Sequence, residues 1–340
     1  MAPLATILGL SGTRLSDDER AFFRDADPWA FILFARNVDS PEQVNALCQD
    51  LRDAVGRDAL VFVDQEGGRV QRLKAPHWRA YPTGSTYAAL HERDPVQGRR
   101  AAYLGHRLIA DDLRAVGITA DCAPVLDLPQ PDADPIISDR ALGDKTDRIV
   151  DLAHAAMSGL MSGGVAPVIK HIPGHGRATV DSHLALPRID TARDLLDRTD
   201  FVPFRKLKDA PMAMTAHAVY TSEDDRPVTT SSKALQTLIR DAIGFDGLLM
   251  SDDLDMKALT GNSLAAKTRD ALAAGCDIAL QCSGQLSDMI DVARGAKPLR
   301  DRALDRARVA ELSAGTPDPL DRRAAEVEFD ALLSTLDRAA

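Results

Sequence analysis

Val165-Ala166-Pro167-Val168-Ile169-Lys170-His171-Ile172-Pro173-Gly174-His175-Gly176 is the stretch on which the reading of this chain turns. Five consecutive apolar residues stop abruptly at a lysine, two histidines and two glycines. Apolar residues at successive positions, rather than at alternate ones, mark a strand buried on both faces of a parallel sheet. Seven further runs have the same character: Ala5–Leu10, Ala30–Phe34, Ala59–Val63, Ile118–Val125, Pro211–Thr215, Gly247–Met250 and Cys276–Gln281. Helical spacing lies between most of them. Ser40-Pro41-Glu42 opens one helix, with a capping serine and a proline suited to the first turn, and its apolar residues are Val44, Leu47, Cys48, Leu51 and Val55. Asp94-Pro95 opens another, which Gly117 stops. Ser232–Ile243 and Ser263–Ala274 are amphipathic, and two more helices are expected beyond Pro298. The connection from Gly67 to Asp94 has no clear period and reads as a long functional loop.

Alternating strands and helices imply a parallel sheet. Eight units fit a closed barrel better than an open doubly wound sheet, and no GxGxxG motif follows the first run. The fold class expected is therefore α/β, a single (β/α)8 TIM-type barrel. Residues 1–340 would form one catalytic domain with C-terminal helices.

Bulk chemistry removes several functions. With 41 basic against 51 acidic residues the formal charge is −10, a poor match for nucleic acid, whose phosphates call for basic patches. No run approaches the length of a membrane span, and the apolar start, Met1 to Ser11, lacks the basic region of a signal peptide. The four cysteines, Cys48, Cys122, Cys276 and Cys282, form no CxxC pair, and their apolar neighbours indicate buried thiols. A cytoplasmic monomer needing no cofactor and no metal is the expectation.

In a barrel the active site gathers at the C-terminal ends of the strands. Asp64, Glu66, Arg69 and Arg72 follow the third run. Asp127, Asp139 and Arg140 follow the fourth. Lys170, His171, His175, Asp181 and His183 follow the fifth, His217 the sixth, and Ser251, Asp252 and Asp253 the seventh. Surface solvation accounts for any one of these and poorly for all. Asp252, at the lip of an apolar strand, suits a nucleophile; a helix cap, supplied by Ser251, Asp252 or Asp253, is the competing role. Asp181 and His183 are two apart, so in an extended segment they share a side, and the carboxylate could orient the ring for acid/base work. An incidental pair in a loop turn is the alternative. Lys170 could be a Schiff-base nucleophile, as in barrel aldolases, or a donor to substrate hydroxyls. Asp64, Arg72 and Arg140 could clamp a hydroxylated ligand or form a structural ion-pair network. His171 and His175 have the spacing of helical metal ligands, but Pro173-Gly174 between them breaks a helix.

Four segments in order carry a family likeness: Asp64-Gln65-Glu66-Gly67-Gly68-Arg69-Val70-Gln71-Arg72, Lys170 to Gly176, Asp181-Ser182-His183, and Ser251-Asp252-Asp253-Leu254. Over residues 5–285 the chain resembles glycoside hydrolase family 3, and most of all its bacterial β-N-acetylhexosaminidase branch. The Asp-Ser-His element discriminates, because the β-glucosidases of the family use a glutamate from a second domain, for which this length leaves no room after a barrel. The resemblance implies that Asp252 is the nucleophile, His183 the acid/base and Asp181 its partner. It further implies that Asp64, Arg72, Arg140, Lys170 and His171 hold N-acetylglucosamine. The implied substrates are N-acetylglucosaminyl-anhydromuramyl peptides of peptidoglycan recycling. Two positions depart from the family pattern: Ser138 stands where the family often has glycine, and Asp255 where it often has serine.

Overall fold

The computed structural model describes residues 2–259 and 263–337. Eight strands close into one barrel: β1 Leu4–Leu8, β2 Pro28–Leu33, β3 Leu60–Val63, β4 Ala120–Asp121, β5 Ala166–Ile172, β6 Met212–Thr215, β7 Leu248–Asp253 and β8 Ile278–Gln281. Each strand pairs in parallel with the next in the chain, and β8 returns to β1. All eight apolar runs are barrel strands, and the open-sheet alternative is excluded.

The barrel interior is filled by alternate residues of successive strands, as the pleat requires. Leu60 and Phe62 of β3, Ala166 and Val168 of β5, Met212 and Met214 of β6, and Leu248 and Met250 of β7 belong to one buried cluster. Leu299, Ala307 and Ala310 close its lower end. The intervening residues, such as Val61, Ile169, Ala213 and Leu249, belong to a second cluster shared with the surrounding helices. Continuing the inward set by one step reaches Asp64, Lys170 and Asp252. The period of two that packs the core thus also aims these polar groups into the upper mouth.

The helices begin where capping chemistry predicts. The Ser40 side chain accepts from Gln43 N–H at 3.3 Å at the start of a helix over Pro41–Val55. Asp94 accepts from Val96 and Gln97 N–H at 2.9 and 3.2 Å at the start of a helix over Pro95–Ala115. Each such cap is worth about 1 kcal/mol. The Ser232–Ile243 segment is helical, but Leu235–Ile243 has π-type turns and ends at Gly244 with φ 78°. Beyond Pro298 lie the two expected helices, Asp301–Ser313 and Arg322–Asp337. The last packs on the Pro95–Ala115 helix and buries Phe329 beside Tyr87.

The segment Gly67–Asp94 is not the long loop expected. It is a small hairpin, Gln65–Gly67 against Val70–Gln71, followed by a helix over Gly84–Arg93. Gly67 and Gly68 make the hairpin turn with φ of 98° and 56°, a region open to glycine and costly for other residues. The helix escapes sequence reading because its Thr83 cap makes no side-chain hydrogen bond and its buried face includes Gly84 and Ala88. Cysteines 48, 122 and 276 are buried, whereas Cys282 is half-buried and lines the upper mouth.

Candidate active site

A pocket of about 340 Å³ opens at the C-terminal ends of the strands. Seven of the eight candidate residues line it: Asp64, Arg72, Arg140, Lys170, His171, His183 and Asp252. The eighth, Asp181, reaches it through His183.

Its floor is a charged network. Lys170 Nζ lies 2.9 Å from Asp64 Oδ1 and 2.6 Å from Glu66 Oε1. Arg72 donates to Asp64 Oδ2 at 2.9 Å. Arg140 grips Glu66 with two bonds of 2.8 Å, from Nε and Nη2, the planar geometry that makes arginine–carboxylate pairs strong. Arg140 therefore joins the clamp through Glu66 and not by a direct bond to Asp64. Burial alone would raise both carboxyls, but Lys170 with Arg72 holds Asp64 well below the usual range, and Lys170 with Arg140 holds Glu66 at about 2. Burial likewise works against the Lys170 ammonium, and Asp64 and Glu66 outweigh it, so Lys170 stays protonated. A protonated lysine is a donor to hydroxyls and cannot attack a carbonyl, which removes the Schiff-base reading.

Asp127, at the top of the fourth unit, organises the loop after β5. Its Oδ2 meets His171 Nδ1 at 2.6 Å, and its Oδ1 accepts from the His171 and His175 N–H groups at 3.2 and 2.6 Å. Burial raises Asp127, and His171 more than compensates, keeping it ionised. The carboxylate at Nδ1 fixes the proton there and leaves Nε2 of His171 for the pocket. His171 lies near the end of β5 and His175 in the loop beyond it, so the pair is not on a helix, and among the described residues no three His, Cys, Asp or Glu side chains converge as metal ligands.

Asp181 and His183 do meet, with Oδ1 2.8 Å from both the ring Nδ1 and the backbone N–H of His183. The contact forms in a turn rather than an extended segment, since Leu184 and Ala185 N–H return to the Asp181 carbonyl. The bond to Nδ1 leaves Nε2 as the outward nitrogen. The His183 side chain is 62% exposed at the pocket rim. Burial raises Asp181 and the His183 hydrogen bonds lower it further, so it remains a carboxylate.

The three capping candidates on β7 separate. The next helix starts at Leu264 under a Ser263 cap, so none of them caps it. Ser251 accepts from Leu280 N–H, and Asp253 accepts from Asp255 and Cys282 N–H, tying β7 to β8. Asp252 takes only the Asp253 N–H, at 2.8 Å, among the described residues. Burial raises Asp252, but His217, His171 and His183 hold it below the ordinary carboxylate range. Asp253, pressed by burial and by Asp255, is pushed up to about 7. Adjacent carboxyls thus titrate in opposite directions from the ordinary range, and Asp252 is the one that stays fully ionised at neutral pH.

Sequence reading left His217 without a task. Its Nε2 lies 3.0 Å from the Asp253 carbonyl and must carry a proton; its Nδ1 lies 2.8 Å from the Thr229 hydroxyl, which is also 2.8 Å from that of Thr215. This buried chain braces the carbonyl of Asp253, the residue that follows Asp252. Glu66 and Asp127 were likewise unassigned, although both stand just beyond apolar runs.

Residues 6–311 match the family described as glycosyl hydrolase family 3 N terminal domain. A beta-hexosaminidase of Alkalilimnicola ehrlichii is 40% identical over 280 residues, 82% of this chain and 80% of that protein. One of Pseudomonas aeruginosa is 38% identical over 283 residues, 83% of each. The crystal structure of NagZ from Neisseria gonorrhoeae in complex with N-trifluoroacetyl-D-glucosamine superposes with a TM-score of 0.88 at 29% identity, covering 98% of this chain and 99% of that one. The chain belongs to glycosyl hydrolase family 3, in its β-N-acetylhexosaminidase branch.

Proposed function

We propose that this chain is a retaining exo-β-N-acetylglucosaminidase that removes terminal β-N-acetylglucosamine from anhydro-muropeptides. The observation that carries the reading is the meeting, in one pocket, of an ionised Asp252 with a histidine whose Nδ1 is held by a carboxylate. Asp252 attacks the anomeric carbon as His183, protonated, gives its proton to the departing glycosidic oxygen. The bond to the aglycone breaks and a glycosyl ester forms on Asp252. His183, now neutral, takes a proton from water, which attacks the same carbon; the ester breaks and the sugar leaves with its β configuration. Two inversions give retention, and histidine replaces one of the two carboxyls of the general scheme. Asp181 keeps a proton of His183 on Nδ1 and so orients the ring with Nε2 toward the sugar. Asp64, Arg72, Arg140, Lys170 and His171 hold the sugar, with Glu66 fixing the two cations that flank it.

Residues 1–340 act as one catalytic unit, a monomer, needing neither cofactor nor metal, and the setting is peptidoglycan recycling in the cytoplasm. Among the described residues no helix is long and apolar enough to cross a membrane. Release of 4-nitrophenol from its β-N-acetylglucosaminide tests the activity. Rapid release, with the β-glucoside cleaved far more slowly, is expected; preference for the glucoside overturns the assignment.

A further inference from the structure

One imidazole in the pocket takes no part in the chemistry above. His175 stands three residues beyond β5, lines the pocket and is 4% exposed. Its backbone is fixed, the N–H donating to Asp127 Oδ1 at 2.6 Å and the carbonyl accepting from Ala178 N–H at 3.0 Å. Its ring is not. Among the described residues neither Nδ1 nor Nε2 of His175 has a hydrogen-bond partner. The His171 ring lies against it, centroids 5.8 Å apart and tilted by 55°, a packing contact that satisfies neither nitrogen.

Buried polar atoms without partners are costly and rare in native proteins. Two on one ring, at the wall of a pocket that receives a polyhydroxylated molecule, mark groups that find partners when the pocket fills. Burial and the neighbouring His171 hold the His175 ring near 4, against the pull of Asp127 and Asp252, so it is neutral at physiological pH. A neutral imidazole offers one N–H and one bare nitrogen, a donor and an acceptor side by side. That pairing suits hydroxyl or amide groups. An anion would leave the bare nitrogen unmatched, and a cation the N–H.

We infer that His175 is a further sugar-binding residue, which exchanges hydrogen bonds with one polar group of the glycosyl unit held between the charged floor and Asp252. The inference rests on the glycosidase reading and deepens it. Packing against His171 needs only a flat ring, which phenylalanine also supplies; hydrogen bonding needs the nitrogens.

The experiment is a double-mutant cycle on the full chain. Wild type, His175→Phe and His175→Asn are assayed for kcat/KM on 4-nitrophenyl β-N-acetylglucosaminide, on its 3-, 4- and 6-deoxy derivatives, and on the β-glucoside. His175→Phe is expected to lower kcat/KM on the parent roughly 10–100-fold, the effect of stranding one buried hydrogen-bonding group. One analogue should be penalised in wild type and not in His175→Phe, which identifies the group contacted. His175→Asn, which restores a donor and an acceptor, should recover part of both the rate and the discrimination. Equal rates for wild type and His175→Phe, or equal penalties on every analogue, overturn the inference. If His175→Phe does not fold, the same comparison is made with His175→Leu, which also lacks both nitrogens, and penalties unchanged from wild type there overturn it. Should wild type fail to cleave the parent, the glycosidase reading falls and this assignment with it; cleavage without coupling refutes His175 alone.

Discussion

Replacing Glu66 by glutamine tests whether the charged floor works as one unit. Glu66 is 9% exposed and is contacted by two cations, Arg140 through two bonds of 2.8 Å and Lys170 at 2.6 Å. A charge pair about 4 Å apart at an effective dielectric of about 20 gains ~4 kcal/mol before desolvation is counted. Breaking such a buried pair costs about 3–5 kcal/mol, because a charge stays behind without its partner. Lys170 keeps Asp64, and the glutamine carbonyl keeps one acceptor, so the low end applies: about 3 kcal/mol. At roughly 2 °C per kcal/mol for a chain of this size, the thermal midpoint should fall by about 6 °C. Since Arg140 and Lys170 then shift, kcat/KM on the aryl N-acetylglucosaminide should drop roughly 10–100-fold. Differential scanning calorimetry and steady-state kinetics read both effects. Pairing the change with Arg140→Met closes a cycle whose coupling should exceed about 1.5 kcal/mol. Additive losses, or an unchanged midpoint in Glu66→Gln, would refute the reasoning.

Three other changes probe separate parts of the site. His183→Ala should slow aryl N-acetylglucosaminide hydrolysis by ~10²–10⁴-fold, the usual worth of acid/base catalysis, and an unchanged rate removes His183 from the mechanism. Asp253 has its folded pKa raised to about 7, so the stability it confers is fully present below the unfolded value and is lost as pH rises through 7. Asp253→Asn keeps the acceptor for Asp255 and Cys282 N–H. Its stability relative to wild type should therefore climb between pH 4 and 8 in urea titrations, and a flat difference contradicts the raised value. Gly84→Ala would place a methyl 2.3 Å from the Arg140 carbonyl and 2.8 Å from that of Ala141, so the backbone carrying Arg140 must move. A loss of about 1–3 kcal/mol of stability and roughly 10-fold in kcat/KM is expected; wild-type values in both measurements would show that this contact does not set Arg140.

The barrel was legible because each strand is buried on both faces and so appears as an unbroken apolar run ending in polar residues. Asp64, Lys170 and Asp252 were legible for the same reason, each being the next inward position after a buried pair such as Leu60 and Phe62. The Asp181–His183 contact was also legible, although a turn makes it. Glu66 was not assigned, since its partners Arg140 and Lys170 are remote in sequence and nothing local distinguishes an acid that grips them from one facing water. Asp127 is hidden in the same way, its role lying in backbone and ring contacts to the loop after β5. The division of labour between Asp252 and Asp253 depends on which carboxylate β8 ties down, and that is a matter of pairing across the barrel rather than of local pattern. The helix over Gly84–Arg93 was obscured by its small buried residues.

The central claim is that Asp252 forms a covalent bond to the sugar. Incubation with a 2-fluoro-type mechanism-based glycosyl donor, followed by proteolysis and mass spectrometry, tests it directly. One added glycosyl unit per chain is expected, on the peptide containing Asp252 and on that residue. Labelling at another residue, or full activity in Asp252→Ala, would contradict it.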